Sequence, residues 1–215
     1  MIRFGEGPSL RDFQSGFGRL ADNRLVADQV YLRPPTLKDW PQWEAVRGSS
    51  RAFLEPWEPV WPDDALTKPH FQRRLRRQLA EWRGDQACAF LIFRLSDDQL
   101  VGGITIANIR RGVAQMATVG YWIGAPFARQ GYMTEALIAA CGFGFNQVKL
   151  HRVEAACLPH NAASRGLLEK VGFEREGYAK RYLKIAGAWQ DHLLFGMSRE
   201  RFEALAANTK SPSPW

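Results

Sequence analysis

The sequence predicts one α/β (α+β) domain in three layers, and three observations carry that reading. Runs of β-branched and aromatic residues alternate with segments whose apolar residues recur at helical spacing. Their order is strand, helix, helix, three strands, helix, strand, helix, two strands, which places helices on the faces of a mixed sheet. The chain has 215 residues, 46% of them apolar, enough for a single sizeable core, with no internal repeat and no low-complexity run before the closing "SPSPW".

Residues 1–24, with "FGEGPSLRDFQSGFG", are glycine-rich and weakly patterned and are expected to form an extension outside the domain. From Val30, "VYLRPPTLKDWPQW" reads as a short strand stopped by two prolines, then a helix capped by Thr36 with Asp39 in its first turn, running to about Ser49. In "RAFLEPWEPVWPDD" the prolines exclude regular helix and the tryptophans need burial. An ordered loop over the core or over a pocket is expected there. A basic amphipathic helix follows over 67–83. Strands over 87–95 and 100–111, joined by "SDDQ", and a third over 116–124 make an antiparallel meander.

A helix over about 134–148 comes next, then the strand "HRVEAACL" and a helix opened by Asn161 as N-cap in "PHNAASRGLLEKVGF". Strands within "EGYAKRYLKIAGAW" and "QDHLLFGMS" and a helix over 199–207 close the domain, giving boundaries of 25–208 and a tail at 209–215.

Net charge is +7 with a pI near 9.6, which suits acidic or polyphosphate partners and excludes an acidic disordered chain. The densest basic cluster, "RRLRRQ" at 73–78, reads as the solvated face of its helix, with weak RNA contact as the alternative. Cys88, Cys141 and Cys157 are odd in number and widely spaced in apolar runs, so reduced core thiols are expected, with neither a disulfide framework nor a metal site. No charged-then-apolar leader opens the sequence and no apolar run reaches the ~18 residues of a membrane span, so a cytoplasmic address is expected.

One stretch points to chemistry. In "FARQGYMTEAL", residues 127–137, a strand-like run gives way to a helix through Gly131. The first N–H groups of a helix have no internal partners, and its dipole adds about half a positive charge there. With Arg129 beside the turn and the Thr134 hydroxyl within it, the turn can hold an anion mainly through backbone donors. Taken alone, the same turn also reads as ordinary strand-to-helix geometry.

Together with its flanks, "GYWIGAPFARQGYMTEAL" followed by "NAASRGLLEKVGF", the chain resembles the GNAT acyl-coenzyme A-dependent N-acetyltransferases. "FLEPWEPV" and "HRVEAACLPHNAASRGLLEKVGFEREGYAKRYLKIAGAWQDH" resemble, more narrowly, the Rim branch, whose members include ribosomal-protein-alanine N-acetyltransferases. The resemblance implies a mixed, mostly antiparallel central sheet flanked by helices and acetyl-coenzyme A as co-substrate, with no metal. It implies a pyrophosphate held at Arg129, Gln130, Gly131, Tyr132, Met133 and Thr134. The pantetheine arm would lie along a bulged, splayed strand at Trp122, Ile123 and Gly124, with Asn161 and Ser164 across from it. Ala128 stands where the family usually has Arg or Gln, and Met133 where it has a small residue.

Acetyl transfer to an amine needs a neutral amine, donors for the carbonyl oxygen and a proton for the departing thiolate. An α-amino group has a pKa near 8, so roughly a tenth is neutral at pH 7 and a modest base or water suffices. Backbone N–H groups from Trp122 to Gly124 are the expected oxyanion donors. The family's helix tyrosine falls at Leu168, and the resemblance moves the acid role to Ser164. For a base, Glu58 beside Trp57 ranks first, because a desolvated carboxylate has a raised pKa, then Glu55, then Asp191; His151, His160 and His192 read as structural. Trp57, Glu55, Tyr178, Tyr182 and Asp191 are expected to line the acceptor groove, although Tyr178 and Tyr182 also read as a cross-strand aromatic pair.

The function these readings imply is direct, ternary-complex acetylation of a protein N-terminus, a ribosomal protein starting with Ala or Ser. The alternatives are acetylation of a small amine (a polyamine, an amino acid or an antibiotic) and a noncatalytic acyl-coenzyme A-binding factor at the ribosome. Monomer and homodimer are both compatible with the sequence.

Overall fold

The computed structural model describes residues 24–208. The expected extension before them and the tail at 209–215 lie outside the described residues. Strands β1 (Leu25–Val26) and β2 (Val30–Arg33) lead into helices α1 (Trp40–Ser49), α2 (Arg51–Leu54) and α3 (Lys68–Arg83). Strands β3 (Cys88–Arg94), β4 (Leu100–Arg110) and β5 (Met116–Ile123) follow, then α4 (Tyr132–Asn146), β6 (Arg152–Cys157) and α5 (Ala162–Val171). The hairpin β7 (Glu174–Ile185) and β8 (Ala188–Ser198) precedes α6 (Arg199–Asn208). The strands form one sheet in the order β1-β2-β3-β4-β5-β6-β8-β7, antiparallel throughout except for the β5–β6 pair.

The three layers follow from strand alternation. On β3, Phe90 and Ile92 join the larger core with α4 and α5, while Leu91 and Phe93 join a second core with Trp43 of α1 and Phe71 of α3. A strand covered on both faces has no polar face to show, which is why "CAFLIFR" is an unbroken apolar run. At the α1 entrance the buried Asp39 carboxylate accepts from the Thr36 backbone (2.6 Å) and hydroxyl (3.0 Å) and pairs with Arg33. No helix among the described residues is long and apolar enough to cross a membrane.

Several expectations needed correction. The two-residue β1 was not anticipated, because it is too short to show alternation. The proline-rich stretch opens with one helical turn, α2, and a 3-10 turn at Glu55–Trp57 before it becomes irregular. Pro56 is tolerated in the first positions of that turn, where no N–H partner is needed. Helix α4 begins at Tyr132, earlier than expected, because Gly131 itself is the N-cap. The bulge expected on the strand at Trp122 to Gly124 lies instead on β4: the register shifts between Ala107 and Arg110, where Asn108 has φ +54°, and β5 from Thr118 to Ile123 is regular. Tyr178 and Tyr182 share β7, so they are not a cross-strand pair; Tyr182 meets His192 edge-on at 5.8 Å.

Candidate active site

The site is built where β5 and β6 part. The two strands pair from Met116 to Thr118 against Arg152 to Glu154, so β5 continues from Val119 to Ile123 with no strand neighbour on that side among the described residues. The Gly124 N–H donates to the Val101 carbonyl of β4 at 2.8 Å. Strand alternation then turns Trp122 toward β4 as well and leaves the N–H groups of Tyr121 and Ile123 facing the notch. Of the three expected oxyanion donors, the Trp122 and Gly124 N–H groups face β4, and the Ile123 N–H, like that of Tyr121, has no backbone partner among the described residues.

The α4 turn lies at one end of this notch. Gly131 has φ +89° and Arg129 φ +61°, the left-handed region that glycine enters at no cost. Thr134 and Glu135 donate back to the Gly131 carbonyl at 2.9 and 3.2 Å. The N–H groups from Arg129 to Met133 find no backbone acceptor among the described residues. Gln130 braces the turn through the Pro126 carbonyl at 2.7 Å, and Glu135 is occupied by Gln29 at 2.7 and 2.8 Å. Tyr132 and Met133 point into the core, 7% and 8% exposed, so the bulk of Met133 does not obstruct the turn. A Cβ placed on Gly131 would meet nothing closer than the Gln29 side-chain amide at 3.7 Å, so the backbone there is not crowded by side chains.

Helix α5 forms the other wall. The Asn161 side chain accepts from the Ser164 N–H at 3.0 Å, the cap expected of it, and its amide nitrogen donates to no described residue. The Ser164 hydroxyl meets the Tyr121 hydroxyl at 2.8 Å. Burial pushes the Tyr121 phenol above its ordinary pKa, so it is a neutral donor at pH 7. Burial also raises the Cys157 thiol, partly offset by the Ser164 hydroxyl. Leu168 is fully buried in the core, and no hydroxyl is possible there.

Across the sheet, Arg47 takes the Glu58 carboxylate in a two-point pair at 3.0 and 2.5 Å, and the Trp61 indole donates to the same group at 2.7 Å. Arg47 is itself 8% exposed and lies against Trp61 and Trp122, 4.3 and 4.9 Å from their rings. Glu58 is therefore an anchored carboxylate rather than the free base expected of it. Glu55 pairs with Arg51 in solvent. Asp191 accepts from Tyr178 at 2.5 Å and from the Arg181 N–H at 2.8 Å, and these bonds hold its carboxyl below the usual range, the opposite of a base poised near neutrality.

The Trp57 ring packs on His160 at 5.5 Å, so the proline loop touches the α5 entrance. The β7–β8 turn reaches the same loop through the Ala186 N–H and the Glu58 carbonyl, 2.9 Å apart. His192 is buried against the Gln190 carbonyl, and His151 is exposed beside Glu200. Arg47, Tyr121 and Ser50, whose hydroxyl accepts from the Ala125 N–H at 2.9 Å, were missed by sequence reasoning. Nothing in a helix or strand pattern marks which of its polar residues will meet a partner from another element.

Comparison with known proteins agrees with this geometry. Residues 29–174 match the family model described as an acetyltransferase (GNAT) domain. The [ribosomal protein uS5]-alanine N-acetyltransferase of Escherichia coli is 34% identical over 81% of this chain and 90% of its own length. The probable N-acetyltransferase YjcK of Bacillus subtilis is also 34% identical, over 78% of this chain and 93% of the relative. Among solved structures, Mycobacterium smegmatis RimJ in complex with CoA-disulfide aligns with a TM-score of 0.77 and 34% identity, covering 84% of this chain and 90% of that one. The ribosomal-protein-S5-alanine acetyltransferase of Vibrio fischeri aligns with a TM-score of 0.78 and 27% identity, covering 84% and 99%. The chain belongs to the GNAT acetyltransferase family and is related within it to the ribosomal-protein-alanine enzymes.

Proposed function

We propose that this enzyme transfers acetyl from acetyl-coenzyme A to the α-amino group of a protein N-terminus, a cytoplasmic ribosomal protein starting with Ala or Ser, by direct attack in a ternary complex. The observation that carries the reading is the notch where β5 leaves β6, walled by the α4 turn and α5 and faced by the loop that holds Glu58. The names of the alanine-specific relatives support the acceptor class.

The co-substrate supplies an acetyl group activated as a thioester. The residues that would hold it are the N–H groups of Arg129 to Met133 and the Thr134 hydroxyl for its anionic end, with the Asn161 amide and β5 for its arm. The Ile123 N–H, turned to the notch, is placed to stabilise charge on the acetyl oxygen. Ser164 offers its proton to the sulfur side. Glu58, fixed by Arg47 and Trp61, acts as a positioning residue for the acceptor-side wall, with Trp57, Tyr178 and Tyr182 at the groove. Because roughly a tenth of an α-amine is already neutral at pH 7, water is sufficient to take its proton.

The test is coenzyme A release with short peptides differing only at the first residue, with spermidine and free amino acids as controls. Acetylation of Ala- or Ser-starting peptides and not of the small amines is the expected result. Reaction with small amines alone would remove the protein acceptor. Silence with every amine, joined to salt-steep RNA binding, would favour the noncatalytic reading.

A further inference from the structure

We propose that Tyr121 is a positioning residue for acyl transfer, a strand-borne phenol that orients the Ser164 hydroxyl toward the departing sulfur. The inference rests on the acetyl-transfer reading above and names a residue for its leaving-group side.

Four observations converge on it. The 2.8 Å contact between the Tyr121 and Ser164 hydroxyls joins β5 to α5, the two walls of the notch. Ser164 sits in the first turn of its helix, where a serine hydroxyl ordinarily turns back on the backbone. Here the Asn161 side chain accepts the Ser164 N–H at 3.0 Å, and the Ser164 hydroxyl meets the Tyr121 hydroxyl, with no backbone partner among the described residues. Ser164 carries the one side-chain hydroxyl of α5, and Leu168, a turn further on, is fully buried among apolar residues. Tyr121 is also two residues from Ile123 on β5, so the two side chains share one face of the sheet at the notch.

Either hydroxyl can donate in this pair. In the proposed arrangement the phenol donates and Ser164 accepts, which leaves the serine hydrogen to point away from Tyr121. The ionisable groups that face the phenol are the thiols of Cys157 and Cys141, both neutral near pH 7 because burial raises them. In an uncharged, partly dry setting such a chain of hydroxyls is electrostatically stronger than in water.

In the transfer, the C–N bond forms as the C–S bond breaks, and the C–S electron pair stays on sulfur. The Ser164 proton moves to sulfur and the Tyr121 proton to the serine oxygen. Water, which has taken the proton leaving the amine nitrogen, restores the phenol. One proton leaves nitrogen and one reaches sulfur, with nothing else consumed.

The experiment compares wild type, Tyr121→Phe, Ser164→Ala, Ser164→Thr and the Tyr121→Phe/Ser164→Ala double variant in two assays. The first is steady-state acetylation. Tyr121→Phe and Ser164→Ala are each expected to lower kcat by about ten- to a hundredfold with little change in the acetyl-coenzyme A KM, the double variant no more than Ser164→Ala, and Ser164→Thr to recover most of the loss. The second is binding without turnover. Wild type is expected to bind coenzyme A about two- to tenfold more tightly than desulfo-coenzyme A, and Tyr121→Phe to lose that preference.

A Tyr121→Phe protein with wild-type kcat and an intact thiol preference overturns the proposal, even if its thermal midpoint falls. Losses in Ser164→Ala alone overturn it too, while leaving Ser164 in its role. Were Tyr121→Phe to misfold, Tyr121→Trp, which keeps an aromatic ring and removes the phenol, would take its place, with loss of kcat and of the thiol preference expected and retention of both overturning the proposal. Were wild type silent with every amine, the acceptor reading would fall, and the binding comparison would still decide this one.

Discussion

Gly131 and the buried thiols show how single positions set conditions for the whole site. At φ +89°, a Cβ on Gly131 strains the backbone whatever space surrounds it. Gly131→Ala is expected to cost about 1–2 kcal/mol in urea denaturation and to raise the acetyl-coenzyme A KM, because the same turn presents the N–H groups. The thiols of Cys88 and Cys141 are pushed up to about 12 by burial. Unfolded thiols titrate near 8.5, so the folded state holds protons that the unfolded chain gives up between the two values. The stabilisation is whole below about pH 8.5 and declines as pH rises toward 12. Urea midpoints measured from neutral to alkaline pH should show that decline, and a Cys88→Ala/Cys141→Ala variant should show a shallower one. The same burial predicts that none of the protein's thiols reacts with a disulfide reagent near neutral pH until it is unfolded.

At the scale of elements, the parting of β5 from β6 creates a sheet interior with unpaired donors. Amide hydrogen exchange provides the check: the Tyr121 and Ile123 amides should exchange faster than those of Trp122 and Gly124, and coenzyme A should slow Ile123. The loop after α2 is held by the Arg47–Glu58 pair, in which the Arg47 side chain is 9% and the Glu58 side chain 21% exposed. Glu58→Gln leaves Arg47 buried without its counter-ion, and a loss of about 2–3 kcal/mol is expected in denaturation, reduced from a fully buried pair because Glu58 keeps some water. Its kinetic signature should be a higher acceptor KM with kcat and the acid limb of the pH profile little changed. A loss confined to kcat would restore Glu58 as the base.

For the whole molecule, a net charge of +7 should draw a polyanionic co-substrate, and the KM for acetyl-coenzyme A should rise as salt goes from about 50 mM to about 300 mM. What the sequence determined by itself is most of the elements and the glycine turn that opens α4. Continuous apolar runs at β3, alternation at β6, the Asn161 cap and the glycine turn before α4 are local signals, written in a few adjacent residues, and they located α4 to within a turn, α5 and the sheet between them. The resemblance of "GYWIGAPFARQGYMTEAL" to one family did the rest of the functional reading. The tertiary structure decided what each polar side chain meets. Glu58 looked like a base because it stands among aromatics; the fold brings Arg47 to it from a helix that reads as ordinary. Tyr121 looked like one more strand residue; the fold sets its hydroxyl 2.8 Å from Ser164, 43 positions away. Which donors of β5 are free depends on where β6 departs. Such pairings join residues far apart in the chain, and no local pattern encodes them, because they are fixed only when the elements pack.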